Sequence, residues 1–156
     1  MASYSVKEVN LNFMDNKEYD KLCKMISDFE QYEHNYSELA RLVGLADPSN
    51  LIDSFRKKNA VCLLLMYGKT PCGYAFILTN DNFKQKLANI SKLYIEPEHQ
   101  NQGLGHVFIS EIEKYIAKNL HARVIGIQYL EGNSRAQHLY TKIGYRPVSH
   151  YLQKKI

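Results

Sequence analysis

The sequence predicts an α/β fold: a mixed, mostly antiparallel sheet with a central parallel strand pair and helices on both faces. Three observations carry this. Short apolar runs rich in β-branched residues alternate with stretches whose apolar positions recur at helical spacing. The run Val61 to Tyr67 is almost continuously apolar, as in a strand covered on both sides. Lastly, the order strand, helix, strand across residues 90–129 makes those two strands parallel, whereas earlier strands are joined by short turns and run antiparallel. At 156 residues the chain fits one domain, 1–156, able to bury roughly two thirds of its unfolded surface.

Tyr4 to Leu11 reads as the first strand. Asp15-Asn16-Lys17-Glu18 is a capping box, with Asp15 accepting from the Glu18 amide while Glu18 reaches back. The helix it opens carries Tyr19, Leu22, Cys23, Ile26 and Phe29 on one stripe and breaks up around residues 31–35. A second helical segment uses Leu39, Leu42 and Val43 before Gly44; Asp47-Pro48-Ser49-Asn50 starts a third, with Leu51, Ile52 and Phe55. Gly68-Lys69-Thr70-Pro71 turns the strand ending at Tyr67. Gly73 to Leu78 returns beside it, and residues 79–82 turn again. Ile90 to Ile95 is the next strand, ended by Pro97, which has no amide for a ladder. From Gly103 onward Leu104, Phe108, Ile112, Tyr115, Ile116 and Leu120 share one helical face. Arg123 to Tyr129 is the parallel partner strand. Asn133 caps a short helix bearing Ala136, Leu139, Tyr140 and Ile143, and Gly144 stops it. Tyr145 to Leu152 reads as a last strand, placed at an edge by Pro147.

The junction between the strand at Ile95 and the helix at Gly103 holds the chemistry. Two glycines one residue apart let the backbone turn and approach a ligand closely. The amides of Gly103, Leu104, Gly105 and His106 are the unpaired donors of a helix N-terminus, suited to a pyrophosphate. A nucleotide-binding Walker loop is excluded, since no Gly-Lys-Ser/Thr follows. A dinucleotide fingerprint is excluded because Phe108 stands where its third glycine belongs.

The spacing Gln100-x-x-Gly103-x-Gly105 instead resembles the acyl-coenzyme A loop of the GNAT superfamily of N-acetyltransferases. A second stretch, from Asn133 through Ala136, Leu139-Tyr140 and Lys142 to Gly144-Tyr145, is similar to another pattern of that family, one helix and one strand further on. Together they cover residues 88–147. The resemblance implies a GNAT-like sheet whose central parallel strands splay to hold acetyl-CoA as co-substrate. It implies that the backbone of Leu93, Tyr94 and Ile95 pairs with the pantetheine arm, and that Gln100, Asn101, Gln102, Gly103, Leu104, Gly105 and His106 cradle the pyrophosphate. Asn133 would help hold the cofactor, and Tyr140 would act as general acid beside the thioester sulfur. On the residues alone, Asn133 is also a helix cap, Tyr140 a core residue and Gln100 a loop residue.

The activity implied is transfer of the acetyl group to a primary amine of a small molecule or a protein, by direct attack in a ternary complex. The alternative is a catalytically weak acetyl-CoA-binding regulatory module acting on a protein partner. The strand before the glycine loop, Ala88-Asn89-Ile90-Ser91-Lys92, lacks the glutamate that many GNAT relatives carry there. A water chain ordered by Glu30, Glu33, His34 or Tyr129 is then expected to take the proton.

Other classes are disfavoured. A net charge of +4, dispersed along the chain, suits an anionic cofactor but not nucleic-acid binding. No apolar stretch reaches membrane-spanning length and the N-terminus lacks an apolar signal core, so a cytoplasmic protein is expected. Cys23, Cys62 and Cys72 form no paired motif, and the six histidines no ligand cluster, so no metal is expected. Tyr151 and Leu152 of the last strand offer an edge for a homodimer.

Overall fold

Alternation along one strand decides the layers. In β2 (Val61–Tyr67), Cys62, Leu64 and Met66 point to one side of the sheet, Leu63 and Leu65 to the other, and all five are buried. A strand apolar on both sides needs cover on both. On one face the cover is α1 (Asn16–Glu33) with α3 (Pro48–Lys57), through Leu22, Met25, Ile26, Ile52 and Phe55; on the other it is α4 (Leu104–Tyr115), through Leu104, Phe108 and Ile112. The structure, a computed structural model, describes residues 3–156. Met1, Ala2 and the side chain of Leu39 lie outside the described residues, together with the parts of the sequence reading that fall on them.

β1 (Tyr4–Val9), β2, β3 (Thr70–Asn80), β4 (Leu87–Ile95) and β5 (Val124–Ile127) form one sheet in that order. The first three pairings are antiparallel and β4 with β5 is parallel, as the strand-helix-strand order requires. Caps fall where the sequence places them. Asp15 accepts from the Glu18 amide at 2.9 Å, and Asp47 from the Asn50 amide at 3.1 Å. Glu18, however, does not reach back to its cap. It pairs with Lys7 of β1, tying the first turn of α1 to the sheet. In α2 (Glu38–Val43), capped by Ser37, Leu42 and Val43 are exposed rather than forming a buried stripe. After Tyr115 the chain winds on through one wider, π-type turn, Ile116–Leu120, until His121 in the left-handed region ends it.

Several boundaries differ from the sequence reading: β3 runs on to Asn80, past Leu78, and β4 starts at Leu87, ahead of Ile90. β1 stops at Val9. β3 begins at Thr70, the turn being only Gly68-Lys69, because Pro71 sits at a register irregularity opposite Met66 where its missing amide does no harm. β5 has four residues rather than seven. Tyr145 to Leu152 is not a strand: Pro147 cannot donate, β5 offers a short edge, and Val148, Tyr151 and Leu152 find no apolar surface to cover them. The pairing edge expected there for a homodimer is therefore not formed.

One irregularity matters for function. Phe76 pairs with Lys92 but Ile77 pairs with Ile90, so Ser91 is an extra residue in β4. A bulge of this kind re-aims the side chains beyond it. Ala88 and Ile90 pack on the α4 side, and without the bulge Lys92 and Tyr94 would join them; with it, Tyr94 packs on the α1 side and Leu93 and Ile95 on the α4 side. Beyond the bulge β3 and β4 approach closely at Gly73. A Cβ there would lie 2.6 Å from the Tyr94 carbonyl oxygen. Gly73→Ala is therefore expected to cost about 1–3 kcal/mol through overpacking, measured as a lowered urea midpoint with unchanged m-value.

Candidate active site

β4 and β5 stay in register for four pairs only, from Leu87 with Val124 to Ile90 with Ile127, and then part. From Lys92 to Ile95, β4 is paired by β3 on one side alone, and the bulged Ser91 on neither. In an antiparallel ladder alternate residues direct their N–H and C=O groups away from the partner, so this stretch presents a row of backbone donors and acceptors toward the gap. Leu93 and Ile95 direct theirs there, the Ile95 carbonyl accepting from Gln100, whereas Tyr94 faces β3, in step with the Glu96 amide that donates to Cys72.

The chain then makes a single turn of 3-10 helix at Pro97–His99 and enters the glycine loop. Asn101 and Gly103 both adopt left-handed backbone, with φ of 61° and 74°. Gly103 is the N-cap of α4 and offers no side chain, so no cap covers the first turn. The first helical bond runs from the Val107 amide to the Gly103 carbonyl, at 3.2 Å, which leaves Leu104, Gly105 and His106 with the orphan donors of a helix start. Gly105 is required for a different reason: a Cβ there would stand 3.0 Å from the Leu139 side chain, so α5 (Ser134–Lys142) packs directly on this turn.

Gln100 is more than a loop residue. Its Nε2 donates to the Ile95 carbonyl at 2.5 Å, tying the loop to the end of β4. Its Oε1 accepts from Arg135 at 2.7 Å, and Arg135 also donates to Asn101 Oδ1 at 2.9 Å. Gln102 donates to the Glu98 carbonyl at 3.3 Å. Arg135 was not selected by sequence reasoning, though a signal existed: a cation in the first turn of a helix opposes the helix dipole and asks for an anionic or polar partner. Asn133 caps α5 by accepting from the Ala136 amide at 3.1 Å, and its side-chain NH2 lies beside the Tyr32 hydroxyl.

Tyr140 is 9% exposed, between the rings of Tyr129 and Tyr145 at 6.2 Å each. Burial, with Tyr32 and Glu33 nearby, pushes its phenol up to about 12, so it holds its proton at neutral pH. Tyr32 is also raised to about 12, by burial and by its hydrogen bond to Tyr36, with Arg135 and Asn133 partly relieving it. These contacts bring the end of α1 against the start of α5. On the same side, Lys92 Nζ donates to Glu30 at 2.8 Å and Glu33 at 2.9 Å. Of the four groups expected to order a water, Glu30 and Glu33 are thus already engaged, Tyr129 adjoins Tyr140, and the buried Nε2 of His34 has no partner. Burial raises the thiols of Cys23, Cys62 and Cys72, the last to about 11, which makes all three poor nucleophiles.

An open strand edge thus runs into an uncapped, glycine-softened helix start. The chain belongs to the acetyltransferase (GNAT) family, whose sequence profile matches residues 20–145. No curated protein matches it by sequence. Among solved structures, it is similar to a tetramutant protein from Bacillus halodurans, with 15% identity, 97% of this chain and 99% of that one covered, and a TM-score of 0.75. It is also similar to a ribosomal-protein-alanine N-acetyltransferase from Brucella melitensis biovar Abortus 2308, with 10% identity, 98% and 100% coverage, and a TM-score of 0.71. A third is an aminoglycoside acetyltransferase from an uncultured soil metagenomic sample, in complex with trehalose, with 14% identity, 98% and 97% coverage, and a TM-score of 0.69. The mixed sheet with one parallel pair is shared with these neighbours. Among the described residues, no helix is long and apolar enough to cross a membrane.

Buried phenols have a thermodynamic consequence. Unfolded tyrosines ionise near pH 10, whereas Tyr94 and Tyr140 in the fold do so only near 12. The unfolded chain therefore loses protons first, and the stability these residues contribute, intact below pH 10, is lost as pH rises toward 12. Tyr140→Phe should flatten that decline, by roughly 2 to 3 kcal/mol between pH 9 and 12, measured as the pH dependence of the urea midpoint.

Proposed function

We propose that this chain is an acetyl-CoA-dependent N-acetyltransferase that passes the acetyl group to a primary amine by direct attack in a ternary complex. The observation that carries the reading is the continuity of the unpaired β4 edge, Ser91 to Ile95, with the uncapped amides of α4. The edge suits the amide-bearing pantetheine arm, which can add to Leu93, Tyr94 and Ile95 as a strand would. The loop from Gln100 to His106 suits the pyrophosphate, with Leu104, Gly105 and His106 donating and Arg135 adding charge beside Gln100 and Asn101. Asn133, at the start of α5 beside Tyr32, suits the cofactor arm.

Bound there, acetyl-CoA supplies an activated acyl thioester. The residues must do the rest. A lysine-like amine, with pKa near 10.4, is only about one part in a few thousand neutral at pH 7, a handicap of roughly 4 to 5 kcal/mol. The neutral nitrogen forms the C–N bond as the C–S bond breaks, one proton leaves the amine, and the thiolate takes one. Tyr140, protonated throughout the neutral range, suits the donor to sulfur; the Tyr94 amide faces β3, in step with the Glu96 amide that donates to Cys72, so the outward amide of Leu93 suits the developing oxyanion. Direct attack is favoured over an acetyl-enzyme because all three thiols are held protonated.

Tyr140→Phe should lower kcat by about 100-fold or more while the calorimetric Kd for acetyl-CoA stays unchanged; an unaltered kcat removes Tyr140 from the mechanism. Arg135→Gln should do the reverse, weakening acetyl-CoA binding with little effect on kcat at saturation. The absence of a carboxylate on β4 favours a second reading, an acetyl-CoA-binding regulatory module acting on a protein partner. Thiol release assayed across amines, peptides and aminoglycosides separates the two: tight acetyl-CoA binding with no release for any acceptor supports the module.

A further inference from the structure

The stretch from Tyr145 to Ile156 runs back toward the end of α1. Its start is fixed, because the Tyr145 hydroxyl donates to Glu113 of α4 at 2.9 Å. Beyond that it forms neither helix nor strand, and Val148, Tyr151, Leu152 and Ile156 are each at least 86% exposed. Gln153 nevertheless lines a cavity of about 220 Å³ together with Glu33, His34, Ser37 and Leu130. That cavity adjoins the reacting centre. Leu130 follows Tyr129, whose ring centre lies 6.2 Å from that of Tyr140, and Glu33 is close enough to Tyr140 to raise its phenol. Directly after Gln153 come two exposed primary amines, Lys154 and Lys155. Lys92 also faces α1, but Glu30 and Glu33 hold it as an ammonium, so it is no nucleophile.

We propose that the Lys154-Lys155 pair is an internal acetyl acceptor, so that the chain acetylates itself there, in cis, from acetyl-CoA held along β4. The inference rests on the acetyl-transfer reading above. Tethering supplies the concentration. From the anchored Tyr145 the chain to Lys155 reaches about 35 Å at most, which keeps both amines near the thioester at an effective concentration on the order of millimolar. With no ladder bonds and no packed apolar side chains to break, the segment can carry a lysine from the cavity wall to the acetyl group at small cost. The long, flexible lysine stem extends that reach. A neutral Nζ forms the C–N bond as the thioester C–S bond breaks. One proton leaves the ammonium for water before attack; the second leaves the new amide nitrogen and replaces the proton that Tyr140 gives to the thiolate. The products are acetyl-lysine, coenzyme A and one proton.

The test incubates the full chain with acetyl-CoA alone and maps acetylated lysines by peptide mass spectrometry. Lys57, Lys69 and Lys84, exposed elsewhere on the fold, report the uncatalysed reaction of the thioester with surface amines. Lys154 or Lys155 should be acetylated faster than these by about 10-fold or more. At fixed acetyl-CoA the first-order rate should hold over about a 100-fold dilution of the chain, as an intramolecular step requires. Excess coenzyme A, by occupying the β4 edge and the glycine loop, should slow the pair and leave the reference lysines unchanged. The double variant Lys154→Arg, Lys155→Arg should lose the fast modification. Labelling of the pair no faster than at the reference lysines, insensitive to coenzyme A, or proportional to chain concentration overturns the internal acceptor. If added amines release thiol while the pair stays unmodified, this inference falls and acetyl transfer stands; if neither occurs, both fall.

Discussion

Backbone amides and carbonyls withdrawn from water must be paired, and each one left over costs free energy comparable to a lost hydrogen bond. From Lys92 to Ile95 the fold tolerates a row of groups with a partner strand on one side only. That tolerance depends on where the neighbours go. α4 and its wider terminal turn carry the chain back to start β5 beside Leu87, but β5 lasts only to Ile127, after which the chain leaves for α5. The gap is thus made by the shortness of one strand. Its two walls are fixed by independent packing, α1 against Tyr74 and Tyr94 on one side and α4 against Ile90 and Ile95 on the other.

The two sides of the gap have opposite electrostatics. Toward α4, the helix start, the side-chain amides of Gln100 and Asn133 and the guanidinium of Arg135 present donors and positive charge. Toward α1, Glu30 and Glu33 outnumber Lys92. The mouth of β4 is held in this arrangement by Glu96, 5% exposed and ion-paired with Lys21 of α1, so the helix bearing the acidic side is tied to the strand that ends at the anion loop. Opposite charges are thereby sorted to opposite faces of one sheet.

Periodicity and punctuation made most of this legible. Two-sided burial of β2, the parallel step to β5, the caps at Asp15, Asp47 and Asn133, and the uncapped start of α4 all follow from local patterns whose physical basis is short-range. What was hidden depends on register or long-range pairing. The bulge at Ser91 has no local signature, since serine after isoleucine reads as ordinary strand, yet it alone decides that Lys92 faces α1. Arg135 has no role legible in the sequence because its partners, Gln100 and Asn101, are far away along the chain. Tyr145 to Leu152 misled for the opposite reason. Its composition permits a strand, but a strand needs an edge to pair with and a face to cover, and β5 supplies little of either.

The bulge also bears on how a chain of this family can lack a carboxylate on the strand before its glycine loop. An extra residue at Ser91 turns Lys92 toward α1, and the ammonium draws two carboxylates from that helix to the sheet. Negative charge is therefore present near Tyr140 although none is encoded in β4. Lys92 is raised above its ordinary value even though burial alone would lower it, because Glu33 and Glu30 outweigh that effect, so it stays charged and is not a base. The carboxylates, bound to it, are better placed to hold a cation than to abstract a proton. In this chain the negative charge beside Tyr140 is carried by α1 rather than by β4, and Lys92 is what holds it against the sheet.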